Sequence, residues 1–278
     1  MSQMLFNLEE ATDTNRPALP DFRWIVVNSS GGKDSQTCLR NVVRECDRLG
    51  VPRKRIVVSH QDLGEMEWPG TRELVERQAA CYGLSVRISR YRDRTGGEPS
   101  LLDYVRRRGM WPSSQQRYCT SEFKRGPGGR VLTELHRLAP GRILNVYGFR
   151  AEESPARARR HTFVRNQRFS STARDVWDWL PIHEWSDAQV WADIRASGVP
   201  YHPAYDLGMP RLSCCFCIFA PRSALLVSAR ANPALLDRYC QVEEDIGHTF
   251  QNGCSLQEIR HAVQTGEQPA ELHGSWNM

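Results

Sequence analysis

The sequence predicts an α/β protein with a doubly wound parallel sheet, followed by a mainly helical C-terminal region. Strand-like apolar runs at 24–27, 55–60, 84–88 and 143–148 alternate with segments of helical period. The links between them are short, which is the pattern of parallel strands whose crossover helices cover both faces. Beyond residue 185 the strand-like runs stop and helix-like segments follow one another. The expected organisation is an N-terminal arm (1–22), an α/β domain (23–184) and a cysteine-containing helical region (185–278).

In chain order, residues 1–22 are polar and read as a flexible or loosely docked arm. They lack the basic-then-apolar pattern of an export signal, and no run approaches the ~20 apolar residues of a membrane span. A cytoplasmic protein without membrane contact is expected. Trp24-Ile25-Val26-Val27 reads as a buried strand. Leu39, Val42, Val43, Cys46 and Leu49 then fall on one helical face. The run 55–60 is a second strand, 70–82 a helix with Val75, Ala79 and Tyr82 inward, and 84–88 a third strand by alternation. A short helix with a basic end follows at 100–108, another helix at 130–138, and a fourth strand at 143–148. Residues 150–174 carry seven arginines and few apolar residues, and read as a long loop, functional or disordered. Ser186 with Gln189, and Ser255 with Glu258, are capping boxes that open helices. Further helices are expected at 222–230, 233–246 and 255–264.

Composition narrows the class. Apolar residues are 40% and charged ones 25%, ordinary for a globular protein of 278 residues. The net charge is +5, with arginines concentrated at 87–94, 106–108 and 150–174. That distribution suits an anionic partner, nucleotide or nucleic acid, or else a solvated basic face. Nine cysteines in a chain without an export signal argue against a disulfide framework and leave metal or redox chemistry open.

The stretch that carries most chemistry is Ser30-Gly31-Gly32-Lys33-Asp34-Ser35, between the first strand and its helix. Glycines let backbone amides approach an anion, and the helix N-terminus adds its dipole. Lys33 adds a charge, and Ser30 and Ser35 add hydroxyl donors. It is not a Walker A loop, which needs Gly at position 27 and Ser or Thr at position 34; Val27 and Asp34 stand there. Asp62 follows the second strand, where doubly wound sheets bind ligands, although capping the next helix would also explain it. Cys214 and Cys217 have metal-ligand spacing, with Cys215 between them. An Fe–S cluster, Zn²⁺, a redox dithiol and plain burial all fit that spacing. Cys38, Cys46 and Cys81 lie on helical faces and read as core. His60 and His202 flank candidate site loops and read as structural.

The hexapeptide resembles the pyrophosphate loop of the N-type ATP pyrophosphatases and the sulfonucleotide (PAPS) reductases. Three further blocks match that superfamily in order: His60-Gln61-Asp62-Leu63-Gly64; Arg117-Tyr118-Cys119-Thr120 with Lys124 and Pro127; and Gly148-Phe149-Arg150-Ala151-Glu152-Glu153-Ser154 with Arg157. The resemblance implies a fold of the adenine-nucleotide alpha-hydrolase (HUP) type. It implies that Ser30, Gly31, Gly32, Lys33, Asp34, Ser35, Asp62 and Gly148 bind ATP, with Asp34 the candidate ligand of Mg²⁺. Lys33, Asp34, Arg150 and Arg157 would then serve catalysis. It also places Cys119 beside Cys214 and Cys217 as ligands of a [4Fe–4S] cluster, with Zn²⁺ the alternative and Cys215, Cys240 or Cys254 candidates for a fourth position.

The family most similar in appearance is that of the ATP pyrophosphatases of DNA phosphorothioation. The implied reaction is attack on the α-phosphate of ATP, giving an adenylated acceptor and pyrophosphate. The acceptor would be the DNA backbone, with tRNA thiolation as the sister chemistry, and a cysteine desulfurase would supply sulfur. The resemblance also leaves room for a homodimer. A PAPS or APS reductase is the competing reading. Against it, reductases of this kind use a C-terminal cysteine, and the last one here is Cys254. Cluster-binding reductases also pair adjacent cysteines where Tyr118-Cys119 offers one. A non-catalytic DNA-binding module is a third reading, opposed by the intact Lys33-Asp34-Ser35.

Overall fold

The computed structural model describes residues 16–272. Residues 1–15 of the expected arm lie outside the described residues. The end of that arm is docked: Leu19 and Phe22 are buried against the sheet, and the Phe22 ring meets Phe163 edge-on at 6.4 Å. Two apolar side chains seven residues or fewer from the first strand suffice to pin the chain there.

A six-stranded sheet has the order β3-β2-β1-β4-β6-β5. The strands are β1 (Trp24–Asn28), β2 (Ile56–Gln61), β3 (Ser85–Ser89), β4 (Ile143–Val146), β5 (Phe163–Arg165) and β6 (Val176–Trp179). All neighbours run parallel except the edge pair β5–β6. Successive residues of a strand face opposite ways. Ile25 and Val27 of β1, with Ile56, Val58, Leu144 and Val146, therefore pack on one face, under α1 (Lys33–Arg48) and α2 (Thr71–Ala80). Val26, Val57, Ile143 and Val176 pack on the other face against Val131, Leu132 and Leu135. Buried on both faces, these strands read as continuous apolar runs in the sequence.

Two elements depart from expectation. The 150–174 segment is not one loop. It holds a short helix, α6 (Pro155–Ala158), and the antiparallel strand β5, and leads into β6. At three and four residues these strands are too short to declare a period. The helix expected at 130–138 begins at Gly126 as α5 (Gly126–Leu138). It is preceded by a π-helical turn, Ser121–Arg125, and the single turn α4 (Tyr118–Thr120). The helix tolerates its Gly-Pro-Gly-Gly start because Pro127 sits in the first turn. Gly129 gives room to Phe169, whose ring lies 2.8 Å from where a Cβ would stand.

The expected division at residue 184 does not divide the core. Helix α7 (Asp187–Ser197) packs on α1, and Arg40 of α1 pairs with Asp193 at 2.7 Å. Conversely, Met66, Trp68, Trp111, Tyr118 and Phe123 share one cluster with Leu225, Tyr239 and Ile259 of the C-terminal helices. Those helices are α8 (Arg222–Ala231), α9 (Pro233–Ile246) and α10 (Leu256–Gln264). Leu101, Leu102 and Val105 of α3 (Leu101–Arg108) join the same cluster. Among the described residues no helix is long and apolar enough to cross a membrane. Cys38 and Cys46 are buried as expected, but Cys81 is exposed at the end of α2.

Candidate active site

The site forms where the strand order reverses. From β1 the chain winds one way to β2 and β3, and β4 lies on the other side of β1, so loops leaving β1 and β4 diverge and open a crevice. The loop after β1 is the serine–glycine hexapeptide. Gly31 adopts φ +73°, a left-handed conformation that suits glycine, with the Thr71 methyl 3.1 Å from a virtual Cβ. The loop braces itself: the Ser30 amide donates to Ser35 Oγ at 3.3 Å, and Ser35 Oγ donates to the Gly32 carbonyl at 2.8 Å. The Lys33 amide, first of α1, donates to the Tyr205 hydroxyl at 2.8 Å.

Charges at the mouth of this loop are tightly arranged. Lys33 is buried, and its Nζ lies 3.1 Å from Asp34 and 2.7 Å from Asp187. Arg150, from the β4 loop, is also buried. Its Nε donates to Asp34 at 2.6 Å, Nη1 to Glu152 at 2.6 Å, and Nη2 to Asp187 at 2.9 Å. Three carboxylates thus surround two cations. Arg150, expected to serve catalysis, has its edges engaged by protein acceptors, an arrangement that holds Asp34 in place. Arg157 pairs with Glu153 and lies over the Phe149 ring at 4.5 Å. Burial holds its pKa below the usual value, with Glu153 opposing.

Gly148 touches the loop from behind. A Cβ there would stand 2.6 Å from the Asp34 carbonyl oxygen and 3.0 Å from the Ser35 amide nitrogen. It was expected as a nucleotide contact, and it brings two backbones into close approach.

Asp62 lies at the end of β2, buried. It accepts from the Gly64 amide at 2.6 Å and from Arg90 at 2.7 and 2.9 Å. Burial raises its pKa, but the Gly64 amide and Arg90 outweigh that and hold it below the ordinary carboxylate value. His60 is buried with both ring nitrogens facing acceptors, the Ser29 carbonyl at 2.9 Å and Glu67 at 3.1 Å. The donor atoms of His60, Asp62 and Glu67 lie within 4.8 Å of one another. Asp62 is committed to Arg90, and His60 to Ser29 and Glu67, so this group closes on itself. His202 is structural, as expected. It accepts from the Ala204 amide, and its other nitrogen faces Thr71 Oγ1 at 3.3 Å, behind the loop.

The thiols form the far end of the crevice. Cys119 in α4 and Cys214 and Cys217 in the loop before α8 pack at the edge of the helical core. They lie close enough to one another and to Lys124 to interact electrostatically. Burial pushes the Cys214 thiol up to about 12, with Lys124 opposing. Cys214 and the other two thiols in turn raise the Lys124 pKa. Of the candidates for a fourth position, Cys215 turns into the core beside Met66, whose carbonyl accepts its amide at 2.9 Å. Cys240 is buried near Arg260, and Cys254 lies beside Arg222. Arg211 stands near Cys217 and Arg157, and Arg157 near Asp34, so charge links the thiols to the phosphate loop.

Tyr205, Asp187 and Glu152 were not singled out in the sequence. Glu152 stood inside a quoted motif. Asp187 follows a capping serine, where an acidic residue reads as a helix-dipole partner. Tyr205 carried no signal.

This fold and loop define a nucleotide-binding α/β protein of the doubly wound class. The chain belongs to the phosphoadenosine phosphosulfate reductase domain family, whose model matches residues 24–220. It is similar to the adenosine 5′-phosphosulfate reductase of Allochromatium vinosum, 32% identical over 150 residues, 53% of this chain and 52% of that protein. It is also similar to an uncharacterised 37.8-kDa protein of Escherichia phage 186, 30% identical over 131 residues, 46% of this chain and 37% of that one. The chain therefore spans about half the length, or less, of these curated relatives. Among solved structures it is similar to the PAPS reductase of Candida auris in its phosphate complex, with a TM-score of 0.48 and 22% identity, covering 71% of this chain and 84% of that one.

Proposed function

We propose that this chain is an ATP pyrophosphatase that adenylates an acceptor for sulfur transfer, the acceptor being nucleic acid and DNA before tRNA. The observation that carries the reading is the excess of carboxylate at the phosphate loop. Asp34, Glu152 and Asp187 are paired there with Lys33 and Arg150, while the next cation, Arg157, near Asp34, is itself paired with Glu153. A polyphosphate enters such a field only with a divalent cation, and ATP brings Mg²⁺, which Asp34 can share. A sulfonucleotide brings no such ion.

In this reading the loop amides, Ser30, Ser35 and Lys33 hold the β- and γ-phosphates. Arg150 keeps Asp34 aimed at the cation. An acceptor oxygen attacks the α-phosphorus, the bond to the β-phosphate breaks, and pyrophosphate leaves. Fixed charges that match the developing negative charge lower the barrier without a covalent nucleophile.

Cys119, Cys214 and Cys217 fit an Fe–S cluster. A tetrahedral Zn²⁺ would draw its thiolates to roughly 3.8 Å apart. Among the described residues, the donor group lying wholly within 4.8 Å is His60, Asp62 and Glu67, not the thiols. A cluster spreads its thiolates over separate irons, and Lys124 would offset its negative charge. When bound, it would offer an iron able to hold sulfide released, by a thiol reductant, from the persulfide that a cysteine desulfurase delivers.

The test is pyrophosphate and AMP formation from ATP and Mg²⁺ by anaerobic protein, with DNA, tRNA or neither. Lys33→Ala and Asp34→Ala should each abolish it. Thiol-dependent sulfite release from PAPS or APS, without ATP cleavage, would replace this reading with the reductase activity for which the A. vinosum relative is named.

A further inference from the structure

We propose that an open cationic groove beside the thiols receives the nucleic-acid strand on which the enzyme acts. This rests on the acceptor reading above and names its surface. The groove has a volume of about 650 Å³ and is lined by Tyr104, Arg108, Arg117, Tyr118, Glu122 and Arg125, among others. Three guanidiniums face one carboxylate. Among the described residues none of the three arginines forms an ion pair. A second groove, of about 680 Å³, makes the contrast: its Arg90 and Arg72 turn to Asp62 and its Arg238 to Glu65. That groove is neutralised from within, and the first is not.

The arginines are also held in orientation. Arg108 lies over the Tyr118 ring at 4.9 Å, and Arg117 over Phe219 at 4.8 Å. Arg108 also donates through Nη2 to Gln116 at 2.8 Å, and a guanidinium stacked in this way loses little freedom on meeting a phosphate. Position ties the groove to the thiols. Arg117 precedes Cys119 by two residues, and Phe219 beneath it follows Cys217 by two. At the other end Arg125 stands near Tyr147. The Tyr147 ring is stacked on Phe149 at 5.1 Å, and Arg160 lies over the Phe149 ring at 5.2 Å. A row of cations leading to stacked rings suits a phosphodiester chain with bases better than an acidic protein surface.

The experiment is fluorescence anisotropy of labelled single-stranded DNA, duplex DNA and tRNA across a salt series. The variants are Arg108→Gln/Arg125→Gln and Arg108→Lys/Arg125→Lys. The glutamine pair should bind about tenfold or more weakly, with the log–log salt slope reduced by about two. The lysine pair should keep the wild-type salt slope and lose only a small part of the affinity, which rules out misfolding as the cause. Binding and slope unchanged in the glutamine pair would overturn the proposal. So would wild-type protein that ignores nucleic acid and captures polyglutamate through the same arginines. Pyrophosphate release from ATP without acceptor, measured on the same variants, should stay at the wild-type level. Arginine-dependent DNA binding in a wild type that makes no pyrophosphate would support the groove while overturning the adenylation reading.

Discussion

The Tyr205 hydroxyl, 172 residues away in sequence, accepts a hydrogen bond from the Lys33 amide at 2.8 Å. That amide opens α1, where a helix presents its donors to an anion. The phenol is also bonded to the Leu212 backbone, and the ring meets Trp191 edge-on at 5.1 Å. Phenol and phosphate therefore compete for one donor. Tyr205→Phe should bind ATP·Mg²⁺ about fivefold more tightly, given a net hydrogen bond of about 1 kcal/mol. Isothermal titration checks this; weaker binding would make the phenol a nucleotide ligand.

Gly148→Ala tests how the β4 loop seats the phosphate loop. The added methyl would strike the Asp34 carbonyl, which is backbone and already helical. Overpacking of this kind costs about 1–3 kcal/mol. A lower melting temperature and a large loss of pyrophosphate release are expected together. A variant with wild-type melting and turnover would show that the two backbones can separate freely.

His60 gives the fold a dependence on pH. Burial opposes the imidazolium, but Glu67 and the Ser29 carbonyl outweigh it, so the folded pKa is raised. A raised folded value adds stability that is complete below the unfolded pKa of about 6.5 and is lost as pH rises through the folded value. Urea midpoints should therefore fall from mildly acidic to alkaline buffer in the wild type. In Glu67→Gln the fall should be smaller. Equal slopes for the two proteins would remove Glu67 as the cause.

Thiol variants separate the ligand cysteines from the core ones. Cys214→Ser or Cys217→Ser should lose bound iron from anaerobic protein, read by visible absorbance and metal analysis. Cys46→Ser, buried between α1 and the sheet, should lower stability and keep iron. Iron retained in both Cys214→Ser and Cys217→Ser would end the cluster assignment.

The parallel strands were legible because β1, β2 and β4 are buried on both faces and so read as unbroken apolar runs. The phosphate loop was legible because its chemistry is contiguous in six residues. Arg150 was found through its motif, but its partners were not: only the fold brings Glu152 and Asp187 within reach of its guanidinium. Tyr205 was invisible because its function depends on one phenolic oxygen arriving from a distant Pro-rich link. Edge strand β5 was missed because three residues among arginines show no alternation, and Arg165 within it turns to Asp175 at 2.7 Å. That pairing also removes Arg165 from the free basic surface that the arginine count suggested.

The helical core has a consequence for how the chain is made. Trp68, Trp111 and Tyr118 emerge early in synthesis, yet their partners Leu225, Tyr239 and Ile259 follow more than a hundred residues later. Until those helices arrive, the early aromatics have only the N-terminal part of their cluster, Met66, Leu101, Leu102, Val105 and Phe123, to meet, and contacts as distant as those to Leu225, Tyr239 and Ile259 close slowly. The phosphate loop is thus completed on a half-built molecule whose other flank is still greasy. An N-terminal fragment carrying the whole sheet would expose that flank and is expected to self-associate.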